Sequence, residues 1–436
     1  MKLRPRDLPA LWIVWWRVVL LGVTTIVSYG FVLYSFGVFV VPIEEDTGWP
    51  TSALSAAFSL SLLGGGLGAL LTGRVLDRVG SGPVMLSTLL AGSALLLVAA
   101  GAQSQTGFIL SWGFGAGIIS AGLFYSVTMA ITARLFFDRR AQAFAVLTFI
   151  GGLASPIYFP LAGVLIDTVD WRDTIRIMVV ILIVLTLPTA ALVRGAAATP
   201  RANDDPDSDD TSHSDQGYTS LRQAFRSREV LLMVGMFALA MSAFSALQVY
   251  HVPALQAAGL SLTTATTIAG VRGFLSLPGR ALLVPIAGRA GVPSALLVMY
   301  FTMALGVGIL ILAGSMVFIW IFAVITGLAF GTIAPLHGLY ATEVFGERRI
   351  GTLMGAQSAI VALASAAGPL GVGVVVDGSG GYGFALGAIA AMFAASLGLL
   401  MIRPRRRAAR PAQGSGQDPN GDEAADTTRS AAASGD

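Results

Sequence analysis

The sequence predicts an all-α integral membrane protein with twelve transmembrane helices, arranged as two six-helix halves of the same orientation. Three observations carry this. Of 436 residues, 55% are hydrophobic and only 12% charged, whereas a soluble domain carries about 25% charged residues. A folded chain of this length cannot cover its surface for water with so few charges. Apolar runs of spanning length recur along the chain, with room for about twelve helices. The second half also repeats features of the first at a nearly constant spacing. Soluble enzymes, nucleic-acid binders and disordered scaffolds are excluded by composition alone.

The first element opens on Lys2, Arg4 and Arg6 and then stays apolar through Pro42. That run is too long for a signal-peptide core and lacks a small-residue cleavage site, so it reads as a retained first span. Apolar runs bounded by Gly, Pro or charge follow: 15–42, 50–76, 82–101, 107–136, 140–166 and 174–194, then 229–256, 262–288, 292–313, 315–343, 350–376 and 381–402. Their lengths suit spanning helices, the longer ones tilted. The expected domains are 1–194, a six-helix bundle; 195–228, a polar linker with the acidic stretch 204–210; 229–402, a second six-helix bundle; and 403–436, a polar tail. Linker and tail lack the apolar content to fold and are expected to be disordered, the Arg-rich tail lying along anionic lipid.

Arginines set the expected orientation. One side collects Arg4, Arg6, Arg78, Arg139, Arg140, Arg222, Arg226, Arg228, Arg289, Arg348, Arg349 and the cluster at 403–410. The opposite loops, around 44–46, 103–106, 257–260 and 377–381, are nearly free of basic charge; Arg172 and Arg176 are the exceptions. The positive-inside rule then places both termini and the linker in the cytoplasm, with the chain in a bacterial inner membrane.

The repeat follows. Val41-Pro42 matches Val252-Pro253, Gly48 matches Gly259, Arg78 matches Arg289 and Gly80 matches Gly291, all at an offset of 211 residues. Asp138-Arg139-Arg140 matches Glu347-Arg348-Arg349 and Pro160-Leu161 matches Pro369-Leu370 at 209, and Asp167 and Asp377 end equivalent spans. Such a register describes a parallel repeat.

The run Gly73-Arg74-Val75-Leu76-Asp77-Arg78-Val79-Gly80 resembles the loop signature Gly-x-x-x-Asp-Arg-x-Gly of the major facilitator superfamily, between spans 2 and 3. Tyr34-Ser35-Phe36-Gly37-Val38-Phe39 followed by Gly48-Trp49 is similar to the bacterial relatives of monocarboxylate transporters and oxalate–formate antiporters, as are Arg134 through Arg140 and Trp171-Arg172. The resemblance covers residues 15–402. It implies a secondary carrier working by alternating access, and it implies that Gly279-Arg280 supplies the span 8 arginine that meets a substrate carboxylate. The chain departs from that pattern in three places: Ser81-Gly82 stand where basic residues follow the loop glycine, Ser276 where an Asp precedes the arginine, and Leu33 or Tyr34 where a span 1 lysine stands. The expected role is a symporter or antiporter of a small organic anion, a monocarboxylate, coupled to protons or to a counter-anion.

Ionisable residues deep in a span are the first functional suspects because hydrocarbon penalises charge. Span 8 holds two, Arg272 and Arg280, whose guanidinium forks suit carboxylates and do not release their protons. Tyr34, Tyr29, Tyr125 and Gln357 are candidates to line the same site, and His337 in span 10 is the candidate proton site, since histidine titrates near neutrality. Asp77, Arg78 and Arg134, with Gly73 and Gly80 shaping the loop and Glu343 at the inner end of span 10, are the expected gate. The glycine runs at 64–68, 113–117, Gly327/Gly331 and Gly351/Gly355 read as close helix packing, because no strand precedes them as a nucleotide loop requires. With no cysteine and one lysine, no disulfide, thiolate metal site, Walker loop or cofactor motif is available. The expected partners are the organic anion, protons or a counter-anion, and lipid, with no nucleic acid, and the chain is expected to be a monomer. A drug or metabolite exporter is the alternative; its span 5 signature Gly-Pro-x-x-Gly-Gly is not matched by Gly151-Gly152-Leu153-Ala154-Ser155-Pro156. A membrane-embedded enzyme would need a catalytic cluster that the spans do not offer.

Overall fold

The computed structural model describes residues 8–136, 139–193, 218, 220–312, 315–346 and 350–403, and the side chains of 8–14, Asp77, 282–286 and 350–351 also lie outside what is described. Residues Met1–Arg403 form one compact unit; the second, Pro404–Asp436, holds the tail and falls outside the described residues. So do most of the linker and Arg4, Arg6, Asp138, Glu347, Arg348 and Arg349 of the orientation and repeat arguments.

The described chain is helical throughout its spans, as hydrocarbon requires of a backbone that must satisfy its own hydrogen bonds. Span 1 consists of α1 (Leu8–Tyr29), a π-helical turn (Gly30–Tyr34) and α2 (Phe36–Thr47). Span 2 is α3 (Thr51–Val79) and span 3 is α4 (Ser81–Ala100). Span 4 is α5 (Gln105–Leu123) with α6 (Tyr125–Leu135), and span 5 is α7 (Arg140–Gly151) with α8 (Ala154–Val169). Span 6 is α9 (Trp171–Leu192). A short helix, α10 (Leu221–Ala224), ends the linker. Span 7 is α11 (Arg228–Ala257), span 8 α12 (Leu262–Ala290), span 9 α13 (Val292–Ile311), span 10 α14 (Met316–Phe330) with α15 (Ile333–Phe345), span 11 α16 (Ile350–Ser379) and span 12 α17 (Tyr382–Met401). Among the described residues, eleven segments are long and apolar enough to cross a membrane. Span 8, whose residues 282–286 lie partly outside what is described, is not among them.

The backbone repeats as the sequence does. Gly48 and Gly259 both take positive φ, 68° and 93°, and so do Gly80 and Gly291, at 89° and 79°. Asp170 at 81° and Gly380 at 67° close spans 5 and 11 at equivalent points. These hairpins turn through the left-handed region, where glycine carries no Cβ penalty.

Among the described residues, four spans are interrupted part-way along their length. Span 1 widens into the π turn, where the Ser35 N–H and hydroxyl both donate to the Gly30 carbonyl at 2.9 Å. Span 4 breaks at Phe124, whose backbone is extended. Span 5 breaks at Gly152-Leu153 and span 10 at Gly331-Thr332. Such breaks free carbonyls and re-aim side chains, and in membrane carriers they border binding sites.

Glycines set the close contacts. A Cβ on Gly117 would lie 3.1 Å from the Cα of Gly64, so spans 2 and 4 touch backbone to backbone. Gly331 and Gly279 do the same for spans 8 and 10: added Cβ atoms would collide with the Ser276 and Leu328 carbonyl oxygens, and one on Gly327 would come within 2.6 Å of the Arg272 carbonyl. Gly355 differs from its expected packing role, since a Cβ there meets nothing within 4 Å. Between the halves, a Cβ on Gly37 of span 1 would meet the Gln248 and Val249 carbonyl oxygens of span 7 at 2.7 Å.

The halves are fastened at the end that carries the acidic loops. The Asp377 carboxylate, at the end of span 11, accepts from the backbone N–H groups of Thr51 and Ser52 at 3.0 and 3.1 Å, capping span 2. Asp167, at the end of span 5, accepts from the Thr263 hydroxyl in the first turn of span 8. The two contacts are related by the repeat: Asp167 corresponds to Asp377 and Thr263 to Ser52. Below them the Ser55 hydroxyl pairs with Tyr250, whose own hydroxyl donates to the Pro369 carbonyl at 2.9 Å. Asp46 binds Arg172 and accepts from the Trp171 indole N–H at 3.1 Å, and Asp173 binds Arg176, so both basic residues that broke the charge pattern are neutralised locally.

Candidate functional site

Spans 4, 5 and 8 bring the Arg280 guanidinium between the halves, and spans 7, 8 and 10 enclose that of Arg272. Arg280 is half-buried. Its Nη1 donates at 3.3 Å to the Thr148 carbonyl of span 5, and its Nε is buried without a partner. Thr148 lies in the last turn of α7, at the negative end of the helix dipole, and its carbonyl also accepts from the Gly152 N–H at 3.0 Å. The same carbonyl accepts from the Tyr125 hydroxyl at 3.5 Å. Tyr125 faces Tyr29 at 5.0 Å between ring centroids, and Tyr29 stacks on Phe124 at 3.8 Å. The span 4 break at Phe124 thus sets Tyr125 on the same carbonyl as Arg280, with Tyr29 of span 1 packed against it.

Arg272 is 2% exposed. Its Nε donates to the Thr326 hydroxyl at 3.0 Å and its Nη1 to Gln248 Oε1 at 3.2 Å. The guanidinium also lies over the Phe330 ring, 5.1 Å from its centroid, an attraction of cation to π face. Tyr34 stands between the halves against Phe159 and Phe330, centroids 5.7 and 6.4 Å away. A central arginine costs about 2.5–3.5 kcal/mol to insert in a membrane, and a buried cation without counter-charge costs more. Among the described residues, no carboxylate pairs with Arg272 or Arg280. Both arginines thus meet only neutral partners among the described residues.

The structure thus brings together Arg280, Tyr125, Tyr29, Arg272 and Tyr34 of the expected residues. Gln357 is buried in span 11, its Oε1 without a partner. His337 faces another way: its ring stacks on Phe237 at 3.9 Å and its Nε2 pairs with the Tyr300 hydroxyl at 2.7 Å, inside the C-terminal half. Of the expected gate, Arg78 and Glu343 are exposed, Arg134 is half-buried, a Cβ on Gly73 would meet nothing within 4 Å, and Gly80 forms the positive-φ turn. The Asp77 side chain lies outside the described residues. Sequence reading passed over Gln248, Thr326, Phe330 and the Thr148 carbonyl. Gln248 left one signal, as a rare amide deep in an apolar span.

A family model described as Major Facilitator Superfamily matches residues 21–369. Among solved structures, the nucleoside transporter NupG is similar with a TM-score of 0.70 and 13% identity, over 89% of this chain and 97% of that one. A substituted form of NupG gives 0.71 and 12%, over 90% and 100%. A bacterial homolog of the human lysosomal transporter Spinster, in an inward-facing and unoccupied conformation, gives 0.61 and 16%, over 88% and 94%. At such identities these likenesses establish the fold. No curated protein matches the chain.

Proposed function

The chain belongs to the major facilitator superfamily, and on that premise we propose that it is a secondary transporter for a small organic anion bound through a carboxylate, worked by alternating access. The observation that carries this reading is Arg280: a half-buried guanidinium between the halves, with a buried Nε free, beside two tyrosines and no carboxylate among the described residues. A fork of that kind binds a carboxylate through parallel hydrogen bonds, and a low-dielectric site strengthens them.

Charge placement supports an orientation with the arginine loops in the cytoplasm and the acidic loops outside. In that orientation the fastened end is external and the conformation inward-facing. Arg280, Tyr29, Tyr34 and Tyr125 are all partly exposed, while Arg272 is sealed. The halves would rock about the site, opening the outer end as the Asp377 and Asp167 contacts part. Because leaving would strand two guanidiniums without counter-charge, the site favours exchange of one anion for another over one-way release.

The test is uptake of labelled carboxylate into vesicles bearing the purified protein, with and without preloaded anion. Wild-type protein is expected to take up label, faster with preloading, and Arg280→Gln to lose at least roughly tenfold in uptake, as removal of a charged hydrogen-bond pair requires. Undiminished uptake by that variant, in folded protein, would overturn the assignment. Nucleoside is the discriminating control, since a neutral substrate supplies no counter-charge.

A further inference from the structure

A second polar cluster borders this site and takes no part in the reading of Arg280. Arg272 precedes Arg280 by eight residues on span 8, about 12 Å along the helix axis. Its Nε and Nη1 are occupied by neutral acceptors, Thr326 Oγ1 and Gln248 Oε1, but its Nη2 is buried without a partner. The Nε2 of Gln248 is likewise buried and unpartnered, in a residue 1% exposed. One turn further along span 7 lies His251, 0% exposed, whose Nδ1 lies 2.7 Å from the Leu247 carbonyl. A carbonyl only accepts, so Nδ1 carries the proton and Nε2 holds a lone pair; that atom too is buried and unpartnered. His251 lies within electrostatic range of Arg272, and its ring meets Phe159 edge-on at 5.0 Å.

Native interiors pair nearly all of their buried polar atoms. Three unpaired ones from adjacent residues of two helices, around a cation with no carboxylate among its described partners, mark a place built for a ligand. Its chemistry is specific: two donors beside a fixed positive charge, and one acceptor. Phe330 links the cluster to the seam between the halves, since its ring meets both the Arg272 guanidinium and Tyr34 of span 1.

We propose that Arg272, Gln248 and His251 form a second subsite of the transport path, so that the substrate is a short dicarboxylate. This rests on the reading of Arg280 as a carboxylate site. One carboxylate sits on Arg280; the other takes the free hydrogens of Arg272 Nη2 and Gln248 Nε2. His251 Nε2 accepts from a hydroxyl next to the distal carboxylate, and its lone pair repels a further anionic oxygen. Two fixed positive charges match a dianion, whereas a monoanion leaves one of them uncompensated.

The experiment is a competition series on the purified full-length chain, with propionate, malonate, succinate, glutarate and malate, each displacing a bound labelled acid. Wild type is expected to prefer succinate over propionate by at least roughly tenfold, as a second charged pair requires, and malate over succinate by a smaller factor. In Arg272→Gln the succinate-to-propionate ratio falls to within about twofold of one. Gln248→Leu, a milder change of similar volume, lowers the same ratio severalfold and carries the test if Arg272→Gln does not fold, as judged by thermal unfolding. A wild-type protein without the preference, or a preference that survives these variants, overturns the subsite. Arg280→Gln separates the two readings. If that variant still binds both acids, the Arg280 assignment fails, while the ratio in Arg272→Gln continues to report on the second subsite.

Discussion

The Asp377 carboxylate caps the first turn of span 2 by accepting the Thr51 N–H at 3.0 Å, across 326 residues of chain. Its second oxygen accepts from Ser52. Pro50, at the N-cap position itself, offers no side-chain acceptor, so a residue of the other half does the work of a cap. A carboxylate at that point also lies at the positive end of the helix dipole. The contact can exist only while these ends of spans 2 and 11 are together, so in the proposed orientation and alternating-access cycle it belongs to the state closed to the outside.

Replacing Asp377 with Ala should therefore shift the resting equilibrium toward the outward-open state. Loss of a helix cap costs about 1 kcal/mol, which corresponds to about a fivefold change in the ratio of states. The chain contains no cysteine, so a single cysteine placed at Ser245, in span 7 below the fastening, reports opening directly. Its labelling by an impermeant thiol reagent is expected to rise severalfold in the Ala variant. Equal labelling in both would show that the cap does not bias the equilibrium.

Two carboxylates at the same end respond to pH in opposite senses. Hydrogen bonds from Arg172 and then Trp171 hold Asp46 below the usual aspartate range, so its contribution is present above the ordinary value and is lost only as pH falls through the lowered one. Glu44 is raised instead. Burial is the main cause; the Thr51 hydroxyl opposes it, and Asp377 and Glu45 add repulsion. Tyr382 and Tyr250 are the other titratable groups nearby. A raised carboxyl stabilises the closed arrangement below its unfolded value and loses that contribution as pH rises through its folded one. Acidifying the outside should thus favour the closed outer end, seen as slower labelling of the same Ser245→Cys probe at acid pH. Glu44→Gln should flatten that dependence, and a pH response that persists in Glu44→Gln would place its origin elsewhere.

How much of this was readable in the sequence depends on whether the signal was local. Spans and hairpins were, because hydropathy and the glycine pairs at 48/259 and 80/291 act over a few residues. The partner of Arg272 was not: Gln248 lies 24 residues away on another helix, and Thr326 lies 54 away. Depth along a span can be counted, but the face a side chain presents depends on packing. That is why depth alone pointed to His337, while its packing on Phe237 and Tyr300 needed the fold. The π turn at 30–34 left no sequence mark, since its residues suit an ordinary helix equally well. Asp167 and Asp377 were visible as a repeat, while their role in joining the halves needed the third dimension.

His337 offers a direct check on which histidine matters. Its Nε2 pairs with the Tyr300 hydroxyl at 2.7 Å and its ring stacks on Phe237, contacts among spans 7, 9 and 10 of one half. His337→Ala leaves that hydroxyl buried and unpaired and opens space beside Phe237, so it should lower stability by about 1–3 kcal/mol. Thermal unfolding in detergent measures the loss. If His337 acts only as such an anchor, His337→Gln, which keeps a hydrogen-bonding group, should recover part of the stability and leave the pH profile of uptake unchanged. A displaced pH profile would instead give His337 a part in proton movement.

Gly331 holds the backbone that carries both arginines. A methyl group there would collide with the Ser276 carbonyl oxygen and approach Arg280 Cγ to 2.9 Å. Ser276 lies midway between Arg272 and Arg280, so spans 8 and 10 can accommodate Gly331→Ala only by moving apart, which shifts both guanidiniums. Overpacking of this kind costs about 1–3 kcal/mol. Gly355→Ala is the matched control. It adds the same methyl group in span 11 where nothing lies within 4 Å, and replacing a helical glycine by alanine is worth up to about 1 kcal/mol of stability. The two substitutions should therefore move the unfolding temperature in opposite directions, and only Gly331→Ala should weaken anion binding. A Gly331→Ala protein as stable and as tightly binding as the Gly355→Ala protein would mean that the close approach of spans 8 and 10 does not position the arginines.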